Sequence, residues 1–181
     1  MKKSIIAGLV AAVAITSTAA TVGWNASSIG TSYNGDAYQV FVIGQKNVTS
    51  ISQITALLDA GSDTAAYAFG SGTVSNGRIS KSATAAGAPE LSPGTYTSFM
   101  VLYDASAPAS GTSKYVVLSG AADQTKTFDS TAATVSFGAG NVSSTVNSAS
   151  NWKSFGPVPE PTTVALLALG IAALGLKRKI A

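Results

Sequence analysis

Short apolar runs separated by small and polar residues dominate the middle of the chain, residues 21–156. The runs are rich in β-branched and aromatic residues, and Gly, Ser, Asn and Pro stand between them. This spacing is typical of an antiparallel β-sandwich. Strands are predicted at DAYQVFVIG (residues 36–44), GTYTSFMVLYD (94–104), KYVVLSG (114–120) and ATVSFG (133–138). Asn76-Gly77, between Val74 and Ile79, predicts a type I′ hairpin turn.

One segment of this region follows a helical period instead. In SISQITALLDAG the apolar residues recur at helical spacing, at Ile51, Ile54, Leu57 and Leu58. Ser50 is a suitable N-cap, and Gly61 is a suitable residue to end the helix. We therefore predict one short helix over residues 50–60, packed over an end or an edge of the sandwich.

The N-terminus has the pattern of a secretory signal peptide. Two lysines precede an apolar run at residues 5–15, and small residues follow it. Thr18 and Ala20 suit the −3 and −1 positions of a signal-peptidase site, so cleavage is predicted after Ala20, with Ala19 as the alternative. An uncleaved membrane helix is the competing interpretation, but the run is short and its exit is small and polar. Residues 1–20 are therefore predicted to direct export.

A second apolar run, residues 162–176, contains no charge and follows Pro161, a residue that favours the first turn of a helix. As a helix it would reach about 22 Å, less than the roughly 30 Å of a hydrocarbon core. Long basic side chains after it can extend the span and keep that end cytoplasmic, at Lys177, Arg178 and Lys179. The alternative is a core helix of the folded domain, but such a helix would show a polar face. A single transmembrane helix is predicted.

Composition excludes several classes of function. The net charge of +3 comes from the chain ends, because residues 21–156 hold six basic and seven acidic residues. The middle region therefore has no basic patch of the kind that would indicate nucleic-acid binding. The chain has no Cys and no His. This excludes disulfides, a thiolate nucleophile, a Ser-His-Asp triad and the usual zinc sites, and no cofactor or metal is predicted.

Between the middle region and the apolar run stands Pro159-Glu160-Pro161, whose two prolines predict a stiff, extended peptide. The order of this tripeptide, one apolar helix and a basic cluster resembles the PEP-CTERM sorting signal, over VPEPTTVALLALGIAALGLKRK. The resemblance covers only the last part of the chain, residues 157–181.

The resemblance implies how the protein is processed and where it is delivered. Proteins with this signal occur in Gram-negative bacteria that make extracellular polysaccharide, and the membrane enzyme exosortase processes them at or near the motif. Pro159, Glu160 and Pro161 would then be recognition residues of a substrate, and not catalytic residues. The inner membrane would be a transient or permanent anchor, before transfer to the cell surface or the exopolymer matrix.

The remaining candidate chemistry is sparse. The seven carboxylates of the middle region are scattered. Glu90 and Asp104 could converge as a glycosidase pair, but solvated turn carboxylates explain these residues better. The aromatic rings of Trp24, Trp152 and the tyrosines could stack on sugars. Five of the tyrosines lie in predicted strands, where core packing or cross-strand pairing is the usual role: Tyr38, Tyr67, Tyr96, Tyr103 and Tyr115. No catalytic residue is assigned. The sequence favours a non-enzymatic surface or exopolysaccharide-matrix protein, with a small carbohydrate-binding module as the alternative.

Overall fold

The computed structural model describes residues 19–157. They form a mainly β protein with two sheets and few helices. The first sheet has four strands: β1 (Ala20–Ser27), β4 (Ile79–Lys81), β5 (Glu90–Leu91) and β9 (Thr134–Asn141). The second has six: β2 (Ala37–Val42), β3 (Gly70–Thr73), β6 (Gly94–Tyr103), β7 (Lys114–Leu118), β8 (Thr125–Phe128) and β10 (Lys153–Ser154).

The six-stranded sheet is antiparallel throughout and runs β10-β7-β6-β2-β3, with β8 pairing the first half of β6. The predicted strands at residues 36–44, 94–104 and 114–120 are β2, β6 and β7 of this sheet. The long strand β6 is polar and half-buried at its start and fully apolar from Phe99 to Tyr103. Its apolar half is the centre of the sheet.

The four-stranded sheet departs from the antiparallel prediction. Its central strand β1 pairs antiparallel with β4 and β5, but parallel with β9. The parallel register runs from Thr21 beside Thr134 to Ser27 beside Asn141. A parallel pair needs a long connection, and here it joins the first and the last long strand of the described chain. The sandwich is therefore mixed, and not purely antiparallel.

The Asn76-Gly77 turn forms, but its role differs from the predicted one. Both residues have positive φ, 51° and 66°, as a type I′ turn requires, and Ser75 bridges Arg78 across it. The strands on either side separate at once, since β3 belongs to the six-stranded sheet and β4 to the four-stranded sheet. The turn is a corner between the sheets.

Two hydrophobic cores hold the layers together. The larger lies between the sheets and includes Trp24 and Phe137 from one sheet and Val40, Met100 and Leu118 from the other. The smaller lies on the outer face of the six-stranded sheet, where α1 (Ile51–Asp59) covers it with Ile54 and Leu58.

The predicted helix is confirmed, with Ser50 as its N-cap. It packs on the outer face of the six-stranded sheet, and not over an end or an edge of the sandwich, because that face is itself apolar at Phe41, Phe99 and Val101. A second helix of one turn, α2 (Ser143–Val146), was not predicted. It is too short to show a helical period. Within residues 19–157 no helix has the length and apolarity needed to cross a membrane.

Candidate functional site

Most of the sorting and processing residues predicted from the sequence lie outside the described residues. These are Thr18, Pro159, Glu160, Pro161, Lys177, Arg178 and Lys179, together with the predicted transmembrane helix at residues 162–176. Ala20 is described. It is the first residue of β1, has no exposed surface and stands beside Leu91 of β5. Cleavage after Ala20 would remove this pair from the sheet, whereas cleavage after Ala19 would keep it.

The folded domain holds the chain almost up to the motif. β10 pairs with β7, and the amide of Phe155 then donates to the carbonyl of Ser113 at 2.8 Å. The amide of Gly156 donates to the carbonyl of Leu58, also at 2.8 Å. Gly156, which is hydrogen-bonded to the domain, stands three positions before Pro159. Three extended residues span about 10 Å, so the motif is tethered closely to the domain.

The described residues also form a polar pocket of about 320 Å³ on the outer face of the six-stranded sheet. Its floor comes from strands β2, β3 and β6. Loops that follow α1 and β6 form its walls, and Phe155 closes one side. It is lined by Ala37, Tyr38, Gln39, Asp63, Thr64, Ser71, Gly72, Thr73, Tyr103, Ser106, Pro108 and Phe155. The pocket lies where the apolar layer under α1 gives way to polar side chains.

A hydrogen-bonded group of three side chains organises this pocket. The Thr64 hydroxyl donates to Gln39 Oε1 at 2.6 Å, and the Tyr103 hydroxyl donates to the same oxygen at 2.9 Å. Thr64 and Tyr103 are 2% and 3% exposed, so their positions are fixed by packing as well as by these bonds. Two donors on one carbonyl oxygen orient the Gln39 amide and leave Nε2 as its donor group.

The pocket carries little charge. Asp63 is the one formally charged residue of its lining, and its Oδ1 accepts a hydrogen bond from the amide of Ala65 at 2.8 Å. Burial raises the pKa of the Tyr103 phenol, the neighbouring Thr64 hydroxyl, 3.4 Å from the phenol oxygen, opposes this rise, and the Asp63 charge adds to it. Tyr103 is therefore a neutral hydroxyl at physiological pH.

The carboxylates stay scattered, with one exception. Glu90 lies on β5 of the four-stranded sheet, and Asp104 directly follows β6 of the six-stranded sheet. Asp104 instead lies near Asp36. Partial burial raises the pKa of Asp36, and the charge of Asp104 raises it further. Among residues 19–157 no group of three or more carboxylates is placed to hold a metal ion.

The aromatic residues mostly fill the interior. Trp24 is buried between the sheets, and its Nε1 donates to the Tyr38 hydroxyl at 3.2 Å. Trp152 stacks on Tyr33 with ring centroids 5.5 Å apart, and its Nε1 donates to the carbonyl of Val146.

The tyrosines divide in the same way. Three of them lie in the cores, namely Tyr38, Tyr103 and Tyr115. Tyr96 stacks on Phe128 of the neighbouring strand β8. Tyr67 lies in a short 3₁₀ turn and not in a strand. The tyrosines do not form one continuous platform.

Sequence reasoning missed the pocket, although one signal was present. Gln39 interrupts the apolar strand AYQVFV, and alternation places it on the same face as Phe41. A polar residue on an otherwise apolar face indicates a hydrogen-bonding partner. The partners Thr64 and Tyr103 lie 25 and 64 residues away in sequence, so only the fold identifies them.

Comparison with known proteins identifies the C-terminal segment alone. Residues 157–179 match the family model of the PEP-CTERM protein-sorting motif. Neither a curated protein nor a solved structure matches the chain. The C-terminus is therefore a PEP-CTERM sorting signal, the kind that exosortase recognises, and it implies export of the chain and processing at a membrane.

Proposed function

We propose that the protein is a non-enzymatic component of the cell surface or the exopolysaccharide matrix of a Gram-negative bacterium. Residues 1–20 direct export, and residues 162–176 hold the precursor in the inner membrane. Exosortase then processes the chain at or near Pro159-Glu160-Pro161, and the β domain is delivered outside the cell. The match of residues 157–179 to the sorting motif is the observation that supports this sequence of events.

The absence of enzymatic activity is part of the proposal. It is supported by the lack of Cys and His in the chain and by the dispersion of the carboxylates. Asp36 and Asp104 are neighbours, but Asp104 is solvent-exposed and its Oδ1 already accepts from the amide of Lys114 at 2.6 Å. We expect the purified protein to turn over no glycan or peptide. Turnover that a single carboxylate substitution abolishes would contradict this.

The sorting step is tested by replacing Glu160 with Ala in a host that carries exosortase. Glu160 lies outside the apolar span, so membrane insertion is expected to be unchanged while processing is lost. Intact-mass measurement should find wild-type protein without its tail, and the variant with its tail in the membrane fraction. Glu90→Ala is the matched control, because Glu90 is the other glutamate of the chain and is exposed on β5. If wild type and Glu160→Ala both keep the tail, the segment is an ordinary anchor and the proposed sorting fails.

The basic tail is expected to act on topology and not on recognition. Replacing Lys177, Arg178 and Lys179 by Ser removes the charges that keep this end cytoplasmic. Protease added outside spheroplasts should then reach the C-terminus of a larger fraction of molecules than in the wild type. An unchanged protection pattern would contradict this role of the three cations.

A carbohydrate-binding module of the extracellular polymer is the second candidate function. It uses the same export and sorting steps, so the sorting experiment does not separate the two. The polar pocket with Gln39, Thr64 and Tyr103 is the observation that favours it.

A further inference from the structure

We propose that the pocket between β3 and the loops after α1 and β6 binds an uncharged sugar residue of a polysaccharide. This inference deepens the second candidate function, and it assigns the ligand class and the residues that recognise it. The pocket volume of about 320 Å³ falls at the lower end of the range of small-molecule sites, about 300–1,000 Å³. A pocket of this size suits one ring of a longer chain.

The polar groups of the pocket match the chemistry of sugar hydroxyls. A sugar hydroxyl donates one hydrogen bond and accepts others, so its site needs both donors and acceptors. Gln39 Nε2 supplies a donor, because Oε1 is occupied by the hydroxyls of Thr64 and Tyr103. Those two hydroxyls have used their hydrogens on Gln39 and keep lone pairs as acceptors. Ser71 and Thr73 add hydroxyls that can do either.

The group is preorganised, and this argues for a binding role. Thr64 and Tyr103 are almost completely buried. Tyr103 also packs edge-to-face against Phe155, with the ring centroids 5.8 Å apart. A ligand therefore meets hydroxyls that are already fixed, so little side-chain entropy is lost on binding. Pro108 and Phe155 provide apolar surface beside these hydroxyls, which suits the C–H face of a sugar ring.

The charge of the pocket selects among sugars. Asp63 is acidic and the lining contains no Lys or Arg. A uronate, phosphate or sulfate group would be repelled by Asp63 and would find no cation to pair with. A neutral sugar hydroxyl can instead donate to the carboxylate, which gives a stronger bond than a neutral acceptor. We therefore assign neutral polysaccharides as the ligand class and exclude acidic ones.

The first experiment measures binding by ¹⁵N NMR of the full-length protein in detergent micelles. The probes are maltotriose, cellotriose and chitotriose, with trigalacturonate as the acidic probe. We expect at least one neutral trisaccharide to cause saturable shifts of the amides of Thr64, Ser71 and Tyr103, and trigalacturonate to cause none. If no neutral probe binds, or if trigalacturonate binds as well as the best neutral one, the proposal is wrong.

Filling the pocket provides the second experiment. Ser71 is exposed on the edge strand β3, so Ser71→Tyr fills the pocket without entering a core. We expect it to weaken binding of the neutral probe at least tenfold. Ser80→Tyr is the matched control, because Ser80 is also an exposed serine on a strand and lies in the other sheet. Equal affinity of the two variants would overturn the assignment of the site.

If Ser71→Tyr disturbs the fold, the affinity of Asp63→Asn for the neutral probe tests the site instead. Asn keeps the acceptor for the Ala65 amide and removes only the charge, and we expect an affinity loss of about tenfold. Asp129→Asn is its control, since Asp129 accepts from the amide of Thr131 in the same way and lies outside the pocket. Unchanged affinity in Asp63→Asn would contradict the role of the carboxylate.

The outcomes separate this proposal from the sorting proposal. Pocket variants are expected to be processed normally, and Glu160→Ala is expected to bind sugar normally. Loss of binding alone therefore bears on the pocket, and loss of tail removal alone bears on the signal.

Discussion

Gly61 and Gly156 approach each other closely near the end of the described residues. Gly61 ends α1 and Gly156 follows β10, and both have positive φ, 71° and 81°. A Cβ built on either glycine would overlap Ser110 Oγ, and one on Gly156 would also stand 2.9 Å from the Cα of Gly61. The close approach of two backbones therefore requires glycine for reasons of space as well as of conformation.

We expect Gly156→Ala to destabilise the protein more than a glycine substitution of similar φ elsewhere. Two costs add at Gly156. The positive φ costs about 1–2 kcal/mol for a residue with a Cβ, and the overlap of that Cβ with Ser110 and Gly61 costs about 1–3 kcal/mol. Gly44→Ala is the control, because Gly44 has a φ of 88° and open space around it. Urea unfolding of the two variants measures the difference. Equal losses would show that the contact with Ser110 and Gly61 adds nothing.

Asp36 gives a prediction about pH. Its pKa is raised above the ordinary value of 3.8 by burial and by Asp104, so at neutral pH its ionised form is disfavoured in the folded state. The resulting loss of folding stability is complete above the folded pKa. It vanishes below 3.8, where the carboxyl is protonated in both the folded and the unfolded state. Asp36→Asn should therefore raise the free energy of unfolding at pH 7, by about 0.5 kcal/mol or less, and leave it unchanged near pH 2.5.

The control for that experiment is Asp129→Asn, for which the opposite sign is expected. A hydrogen bond from the Thr131 hydroxyl is the main cause that lowers the pKa of Asp129, so its ionised form stabilises the folded state above pH 3.8. This stability is lost as pH falls through the lowered pKa. Thermal unfolding at the two pH values measures both effects. A Tm of Asp36→Asn that exceeds the wild type equally at both pH values would show that charge is not the cause.

At the scale of elements, α1 begins where local chemistry fixes it. The amide of Gln53 donates to Ser50 Oγ at 3.1 Å, and Gln53 Oε1 accepts from the amide of Thr49 at 2.7 Å. The first bond satisfies an amide that the first turn of a helix leaves without an intrahelical partner, and the second ties the Gln53 side chain back to the residue before the cap. Ile54 and Leu58, on one face of the helix, then reach the outer core.

Ser50→Ala should cost about 1 kcal/mol of stability, because the Gln53 amide loses its acceptor. Ser52→Ala provides the control: Ser52 is exposed in the first turn, and its side chain is not the cap. Its effect is expected to stay within about 0.5 kcal/mol. Chemical denaturation of both variants measures the difference. A loss in Ser50→Ala no larger than in Ser52→Ala would show that the cap is dispensable.

At the scale of the whole molecule, stability depends on contacts between distant parts of the chain. β1 and β9 are paired along Thr21 to Asn25, although more than a hundred residues separate them. Phe137 of β9 has no exposed surface and packs in the core that the two sheets share. Removing this ring affects both sheets at once.

Phe137→Ala should lower the free energy of unfolding by about 3–5 kcal/mol, because a large cavity opens in the core. Tryptophan fluorescence and far-ultraviolet circular dichroism should follow one transition, since both sheets share that core. Phe128→Ala is the control, because Phe128 is half-buried and stacks on Tyr96 at the edge. A loss for Phe137→Ala as small as that for Phe128→Ala would contradict the shared core.

The elements that the sequence predicted correctly are those whose signals are local. The cap of α1, the apolar runs of β2, β6 and β7, and the turn geometry at Asn76-Gly77 all depend on residues within a few positions. The sorting signal is of the same kind, because its three parts are consecutive in the chain and residues 157–179 match the family motif.

Only the tertiary structure decided what the elements do together. It made the Asn76-Gly77 turn a corner and paired β1 with β9 in parallel. It also placed α1 on a sheet face and joined Gln39 to Thr64 and Tyr103. Each of these depends on which distant surfaces bury the most apolar area and satisfy the most hydrogen bonds. A local pattern shows that a face is apolar or that a residue is polar, but it does not contain the identity of the partner.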